Sequence, residues 1–231
     1  MNRPLVRVLC VILYLLAALP ASGGWTDTLK QAGSELADEK AGDAGLSCTP
    51  SEAVSGVREI LSTGAGYAAK TLSTGSGFAA DSATALSLPD WMAGMTGASA
   101  LLSAMNGAAT RAAAESETPF LDTIKDVSVT NPTSLLSGSS TAVTDYFESR
   151  SRDTLKGLVR PIVEQSARAA GVGSAMTALS AAAQATGAAF DPNEYLTEKV
   201  LDGMFRYMGI RETELRESGG AGASALLHKL L

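Results

Sequence analysis

Apolar residues recur at helical rather than alternating spacing along nearly the whole chain, and very small residues fill the positions between them. Ala occurs 39 times and Gly 23 times, so 62 of 231 positions carry the two smallest side chains. Such a chain can build a core chiefly by bringing rods close together. Each Ala buries little area, and burial contributes only about 25 cal/mol per Å², so stability must come from many close helix contacts. The periodicity predicts an all-α fold, an irregular multi-helix bundle of about eight helices with no convincing strand. Hydrophobic residues make up 45% and charged residues 18%, which argues against wholesale disorder.

Several helix starts are marked locally. Thr49-Pro50-Ser51-Glu52 places a capping hydroxyl, a Pro at the first helical position and a Glu at the third. Val54, Val57, Leu61, Ala65, Ala68 and Leu72 then follow at helical intervals. Gly64 and Gly66 each weaken this helix by about 1 kcal/mol relative to Ala, which implies close contact with a neighbour. Gly75-Ser76-Gly77 reads as a turn, and Leu88-Pro89-Asp90 opens a helical stretch through Trp91, Met95, Leu101, Leu102 and Met105. Thr118-Pro119 starts a short helix carrying Phe120, Leu121 and Ile124, and Asn131-Pro132 starts another that stops at Gly138. Val143, Tyr146, Phe147, Leu155, Leu158 and Ile162 imply two helices or one long bent one, with Pro161 kinking or restarting the second. Asp191-Pro192-Asn193-Glu194 repeats the cap signal and launches a helix expected to end at Gly209. A short helix around Arg211 to Glu217 and a last one from Ser224 to Leu231 complete the pattern. Two uncharged stretches, Trp91 to Thr110 and Ala169 to Phe190, are long enough to span a bilayer. Their Ala, Gly, Ser and Thr content gives weak insertion drive, so they read as buried helices or an Ala-lined hairpin around Gly171-Val172-Gly173.

Residues 1–23 carry the order of an export signal. Arg3 and Arg7 precede an apolar run of 12 residues from Val8 to Leu19, followed by Pro20 and the small residues Ala21-Ser22-Gly23. The run is short of the roughly 20 residues of a spanning helix. A cleaved signal peptide, cut near Gly23, is expected, with an uncleaved anchor as the alternative. The organisation is then a signal peptide (1–23), an N-terminal helix marked by Trp25, Leu29, Ala32 and Leu36 with a linker (24–48), and an all-helical domain (49–231) in the periplasm or secreted. Cleavage removes two Arg and Cys10. The remaining 16 basic and 24 acidic residues give a net charge of −8, and Cys48 is left as an exposed bystander, with pairing to a partner protein as the alternative.

Composition excludes several chemistries. Two Cys and one His leave no disulfide scaffold and no Cys/His zinc site. A net charge of −6 over the whole chain argues against a nucleic-acid surface. The chain has no phosphate-binding loop of the Walker type, no His-Glu-x-x-His, no EF-hand loop and no Gly-x-Ser-x-Gly elbow. His228 lies among Leu226, Leu227 and Leu230 and reads as an exposed or half-buried helix residue rather than a catalytic base. Glu198, Asp202 and Arg206 fall at i, i+4 and i+8, as do Arg160, Glu164 and Arg168, and both sets read as solvated faces. Asp145 with Glu148, or Asp202, would serve a hydrolase only if two carboxyl groups lined one cleft and one stood in an apolar setting. No catalytic residue, metal site or cofactor is assigned.

From residue 50 onward the chain resembles a bacterial family of exported helical proteins, domain-of-unknown-function family 4197. The resemblance rests on Gly75-Ser76-Gly77-Phe78, Leu86-Ser87-Leu88-Pro89, Met105-Asn106-Gly107-Ala108-Ala109 and Leu135-Leu136-Ser137-Gly138. It continues in Ala142-Val143-Thr144-Asp145-Tyr146-Phe147, Leu155, Pro161-Ile162-Val163, Tyr195, Lys199, Leu201-Asp202-Gly203-Met204-Phe205, Glu212 and Leu215-Arg216. It implies an exported, largely helical domain and carries no established activity. The chain departs from the family pattern at Gly107 and Thr110, where Arg and Glu are usual, and at Pro132, Val159 and Gly219.

Six polar residues fit both readings as ligand- or partner-binding candidates: Asn106, Asp145, Tyr146, Tyr195, Asp202 and Arg216. Each also has a structural reading, as a cap, a half-buried Tyr, or Arg216 paired with Glu212 at i, i+4. Asp202 ranks first because the adjacent Gly203 leaves room for close approach. The leading expectation is an exported, non-enzymatic binding module for a partner protein or a small apolar ligand, without nucleic acid and without a membrane span after cleavage. The alternatives are a carboxylate-dependent hydrolase acting on envelope polymers, and a peripheral membrane protein attached through Ala225 to Leu231, which the net negative charge weakens.

Overall fold

The computed structural model describes residues 48–75, 77–184 and 190–231, so the expected leader, the helix from Trp25 to Leu36 and Ser76 lie outside the described residues. Nine helices are described: α1 (Pro50–Leu72), α2 (Asp90–Ala93), α3 (Ala98–Glu115), α4 (Glu117–Asp126), α5 (Pro132–Leu136), α6 (Ala142–Ala169), α7 (Val172–Gln184), α8 (Pro192–Glu217) and α9 (Ala225–Leu230). The described residues contain no strand. The fold is all-helical, and three of the nine helices are only four to six residues long.

Both cap signals act as their sequences predict. The Thr49 hydroxyl accepts the Glu52 amide while the Glu52 carboxylate accepts the Thr49 amide at 2.8 Å, a reciprocal pair that starts α1. The Asp191 carboxylate accepts the Asn193 and Glu194 amides and starts α8. These two helices form the centre of the bundle. Six of the ten buried residues of α1 are Ala or Gly, namely Ala53, Gly56, Gly64, Ala65, Ala68 and Ala69, whereas α8 presents Leu196, Val200, Leu201, Met204, Phe205 and Met208. At Gly64 a Cβ atom would lie 3.3 Å from the Met208 Cα, so the glycine permits the close approach that its placement implies. Phe120, Phe147 and Phe205, from α4, α6 and α8, close the core with ring centroids 5.4 to 6.3 Å apart.

Three boundaries differ from the sequence expectation, and one open alternative is resolved. The stretch from Asp90 to Met105 is two helices, because the chain turns at Gly94–Gly97 and Gly97 adopts a left-handed φ of 97°. Helix α4 starts at Glu117 rather than Thr118, directly after Ser116, which also ends α3. The alternative left open over residues 142–169 resolves as one helix running through Pro161. Pro161 and Gly157, whose carbonyl the proline ring would crowd, are both exposed, so the lost bond falls on the solvated side. Gly209 does not stop α8, which continues to Glu217. The reason is tertiary: a Cβ at Gly209 would lie 3.3 Å from the Thr141 methyl.

The Ala-rich stretch after Ala169 turns at Gly171, with φ 77°, into α7, which packs on α3 and α6. Among the described residues no helix is long and apolar enough to cross a membrane.

Candidate functional site

Helices α6 and α8 are joined by a ladder of ion pairs that repeats every four residues. Arg152 on α6 reaches Glu148 at 2.6 Å, Glu198 at 2.7 Å and Asp202. Lys156 binds Glu194 and Glu198, each at 2.6 Å, and Arg160 binds Glu194 at 3.0 Å and Glu164 at 3.1 Å. Burial works against the Arg152 charge, but the hydrogen bonds it donates to Asp202, Glu198 and Glu148 outweigh it and push its pKa up. Lys156, and then Arg152, hold the Glu198 carboxyl below the usual range. The faces read as solvated therefore differ in part from that reading. Glu198 and Asp202 cross to α6, while Arg206 binds Asp81 and, with the Ala83 amide, lowers that carboxyl's pKa.

Beyond the Arg152 rung the helices leave an open groove of about 400 Å³. Phe205, Gly209 and Ile210 supply its apolar part, with Thr141, Thr144 and Thr213 beside them. Its charged lining is three carboxylates, Asp145, Glu148 and Asp202, and one guanidinium, that of Arg206, which is paired with Asp81. Asp145 accepts the Thr141 hydroxyl at 2.9 Å, and Glu148 and Asp202 share Arg152. Two carboxyl groups thus do line one cleft, as hydrolysis would require. None stands in an apolar setting: Asp145 and Asp202 are exposed, and Glu148 is ion-paired and only partly covered. The arrangement offers acceptors already engaged by Thr141 and Arg152 rather than a carboxyl group in an apolar setting.

Of the six sequence candidates, the structure brings Asp145 and Asp202 into this groove. Gly203 does not open space for a ligand beside Asp202, since a Cβ there would meet Leu72 at 3.0 Å and Phe78 at 3.3 Å. The other four hold the chain together. The Asn106 amide donates to the Leu102 carbonyl at 2.9 Å within α3. The Tyr146 hydroxyl donates to the Ser128 carbonyl at 2.7 Å and bonds Thr130, whose hydroxyl draws the Tyr146 pKa down. The Tyr195 hydroxyl accepts the Ser87 amide at 3.0 Å. Arg216 binds Glu212 at 2.7 Å and also donates to the Leu135 and Leu136 carbonyls.

Sequence reasoning missed the ladder residues Arg152, Lys156 and Glu194, although their four-residue spacing was present on both helices. It also missed the depth of Glu212. This carboxylate has no exposed surface and accepts the Val143 and Thr144 amides at 3.0 and 2.8 Å, satisfying the first turn of α6 from inside α8. His228 is exposed on α9, and among the described residues no His, Cys, Asp or Glu cluster could hold a metal ion.

No curated protein and no solved structure matches this chain. A family model does: that of the proteins of unknown function termed DUF4197 matches residues 47–231, and the chain belongs to that family.

Proposed function

We propose that the helical domain is a non-enzymatic binding module that takes a basic, amphipathic segment of a partner protein in the groove between α6 and α8. The observation that carries this reading is the convergence of Asp145, Glu148 and Asp202 around Phe205 and Ile210. Carboxylates already engaged by Thr141 and Arg152 are fixed acceptors, suited to orienting a Lys or Arg while the apolar floor takes its neighbours. An open, half-polar groove suits a peptide chain better than a small apolar molecule. The leader-like order of residues 1–23 supports a site of action outside the cytosol, in the periplasm or beyond.

The test is titration with a helical Lys/Leu peptide of about a dozen residues. Saturable binding that falls at least about tenfold in D145N/E148Q/D202N, and weakens with salt, is expected. Affinity unchanged in a folded triple variant would refute the groove as the site. Amino-terminal sequencing of the protein recovered from cell fractions tests the leader, with a start near residue 24 outside the cytosol expected.

A further inference from the structure

Helix α9 sits on α1 as a bound peptide would. It has six residues, too few to be stable alone, so its order comes from what it touches. Ser224 caps it, accepting the Leu226 and Leu227 amides, and Glu59 of α1 grips that cap by accepting the Ser224 amide at 3.1 Å and its hydroxyl at 2.7 Å. Leu227 and Leu230, one turn apart, are both buried. The Leu230 side chain lies directly over Gly56, where a Cβ atom would overlap it, and Leu227 flanks the same spot at 3.7 Å. Lys229 reaches Glu52 at 2.8 Å. Glu52, Gly56 and Glu59 share one face of α1, an apolar notch between two carboxylates. The connection from α8 runs through Gly219, Gly220 and Gly222, all with positive φ, a segment of high chain entropy when released.

We propose that this face of α1 is a helix-docking groove, that α9 occupies it in cis as a latch, and that its trans occupant is a short amphipathic helix of a partner protein bearing the same chemistry. That chemistry is a Ser cap, Leu at the third and sixth positions after it, and a Lys at the fifth. Helix-in-groove recognition uses this combination of apolar anchors at i and i+3 with a charged rim. The cis latch lowers apparent affinity by the fraction of molecules in which it is released, so a partner binds when it outcompetes the tether. The site is formed by α1 and α9 and stands independently of the α6/α8 groove.

The experiment uses the full chain and a labelled peptide of residues 218–231 as probe. In L227D/L230D the latch cannot seat, and the probe is expected to bind at least about tenfold tighter than to the wild type, with helical circular dichroism retained. Adding G56L, which fills the notch, should abolish that binding, and E59A should weaken it. In the wild type the α9 amides should exchange with solvent at least about a hundredfold faster than those at the centre of α8. Global unfolding of L227D/L230D would overturn the proposal, because α9 would then belong to the core. So would equal probe affinity for the two proteins, or binding that survives G56L. Wild-type dimers crosslinked between the α9 of one copy and the α1 of another would also overturn it, making a second copy the occupant.

Discussion

Helix α8 meets its two main neighbours by opposite means. Toward α1 the contact is small against large in both directions: Gly64 on α1 lets the Met208 backbone come close, and Gly203 on α8 receives the Leu72 side chain. Toward α6 the contact beyond the core is long against long, with Arg152, Lys156 and Arg160 reaching across to Glu194, Glu198 and Asp202. Close packing fixes a distance and tolerates no added volume. Bridging by flexible charged side chains leaves room between the helices, and the groove lies on that side. The same helix therefore anchors the core with one face and shapes the candidate site with the other.

The largest expected effect lies where this division breaks down, at Glu212, a carboxylate buried on the α6 side. Glu212→Ala strands the Val143 and Thr144 amides and leaves Arg216 with only carbonyl partners. A loss of about 3–5 kcal/mol is expected from urea unfolding. A loss below about 1 kcal/mol would mean that water replaces the carboxylate, and that the start of α6 is less closed than it looks. Next comes the apolar side. At Gly64 the obstacle is the Met208 backbone, which cannot swing away, so Gly64→Leu is expected to cost about 1–3 kcal/mol by overpacking. A neutral result would show that α1 can slide on α8.

What could be read from the sequence follows the range of the interaction. The two cap-Pro-x-Glu starts and the Glu212–Arg216 pair are contained within one or two helical turns, and all three form. Gly209 carried a stop signal by local rules, yet its reason lies in Thr141, and only packing reveals it. Asp145 and Asp202 were found as candidates and meet in the groove. Arg152, Lys156 and Glu194 were not, because a four-residue stripe has meaning only once its partner helix is known. The burial of Glu212 was equally invisible, since an acid at i and an arginine at i+4 look the same on a solvated face.

The ladder should be weaker than either core contact. Arg152 is about one-third exposed, and exposed pairs typically contribute 0.2–1 kcal/mol each. Arg152→Ala, which removes three pairs at once, is therefore expected to cost about 1 kcal/mol, measured by thermal unfolding at low salt. The difference from wild type should shrink at about 1 M salt, where screening acts over a few Å. Gly64→Leu should show no such salt dependence, and the contrast between the two variants tests whether α8's faces are held by different forces. A salt-independent loss in Arg152→Ala would point instead to its stem packing on Phe205, over which its guanidinium lies at 6.0 Å.

The smallest effect is the pH dependence. Glu198 titrates below its usual range because of Lys156 and Arg152, and Glu52 is drawn down from 4.5 to about 2 by Lys229 and Thr49. A carboxyl with a depressed folded-state pKa contributes stability above its unfolded value and loses it as pH falls through the folded one. Unfolding midpoints should thus be flat above about pH 5 and decline between pH 4.5 and 2. Glu198→Gln should flatten that decline, because its proton uptake on unfolding is gone. Glu52→Gln should flatten it as well and, by freeing Lys229, speed hydrogen exchange in α9. Neither variant should alter the cost of Gly64→Leu, whose origin is steric at every pH. If the acid decline persisted unchanged in both glutamine variants, the ladder and the α9 contact would be bystanders to acid unfolding, and the carboxylates responsible would have to be sought elsewhere, first at Asp81 beside Arg206.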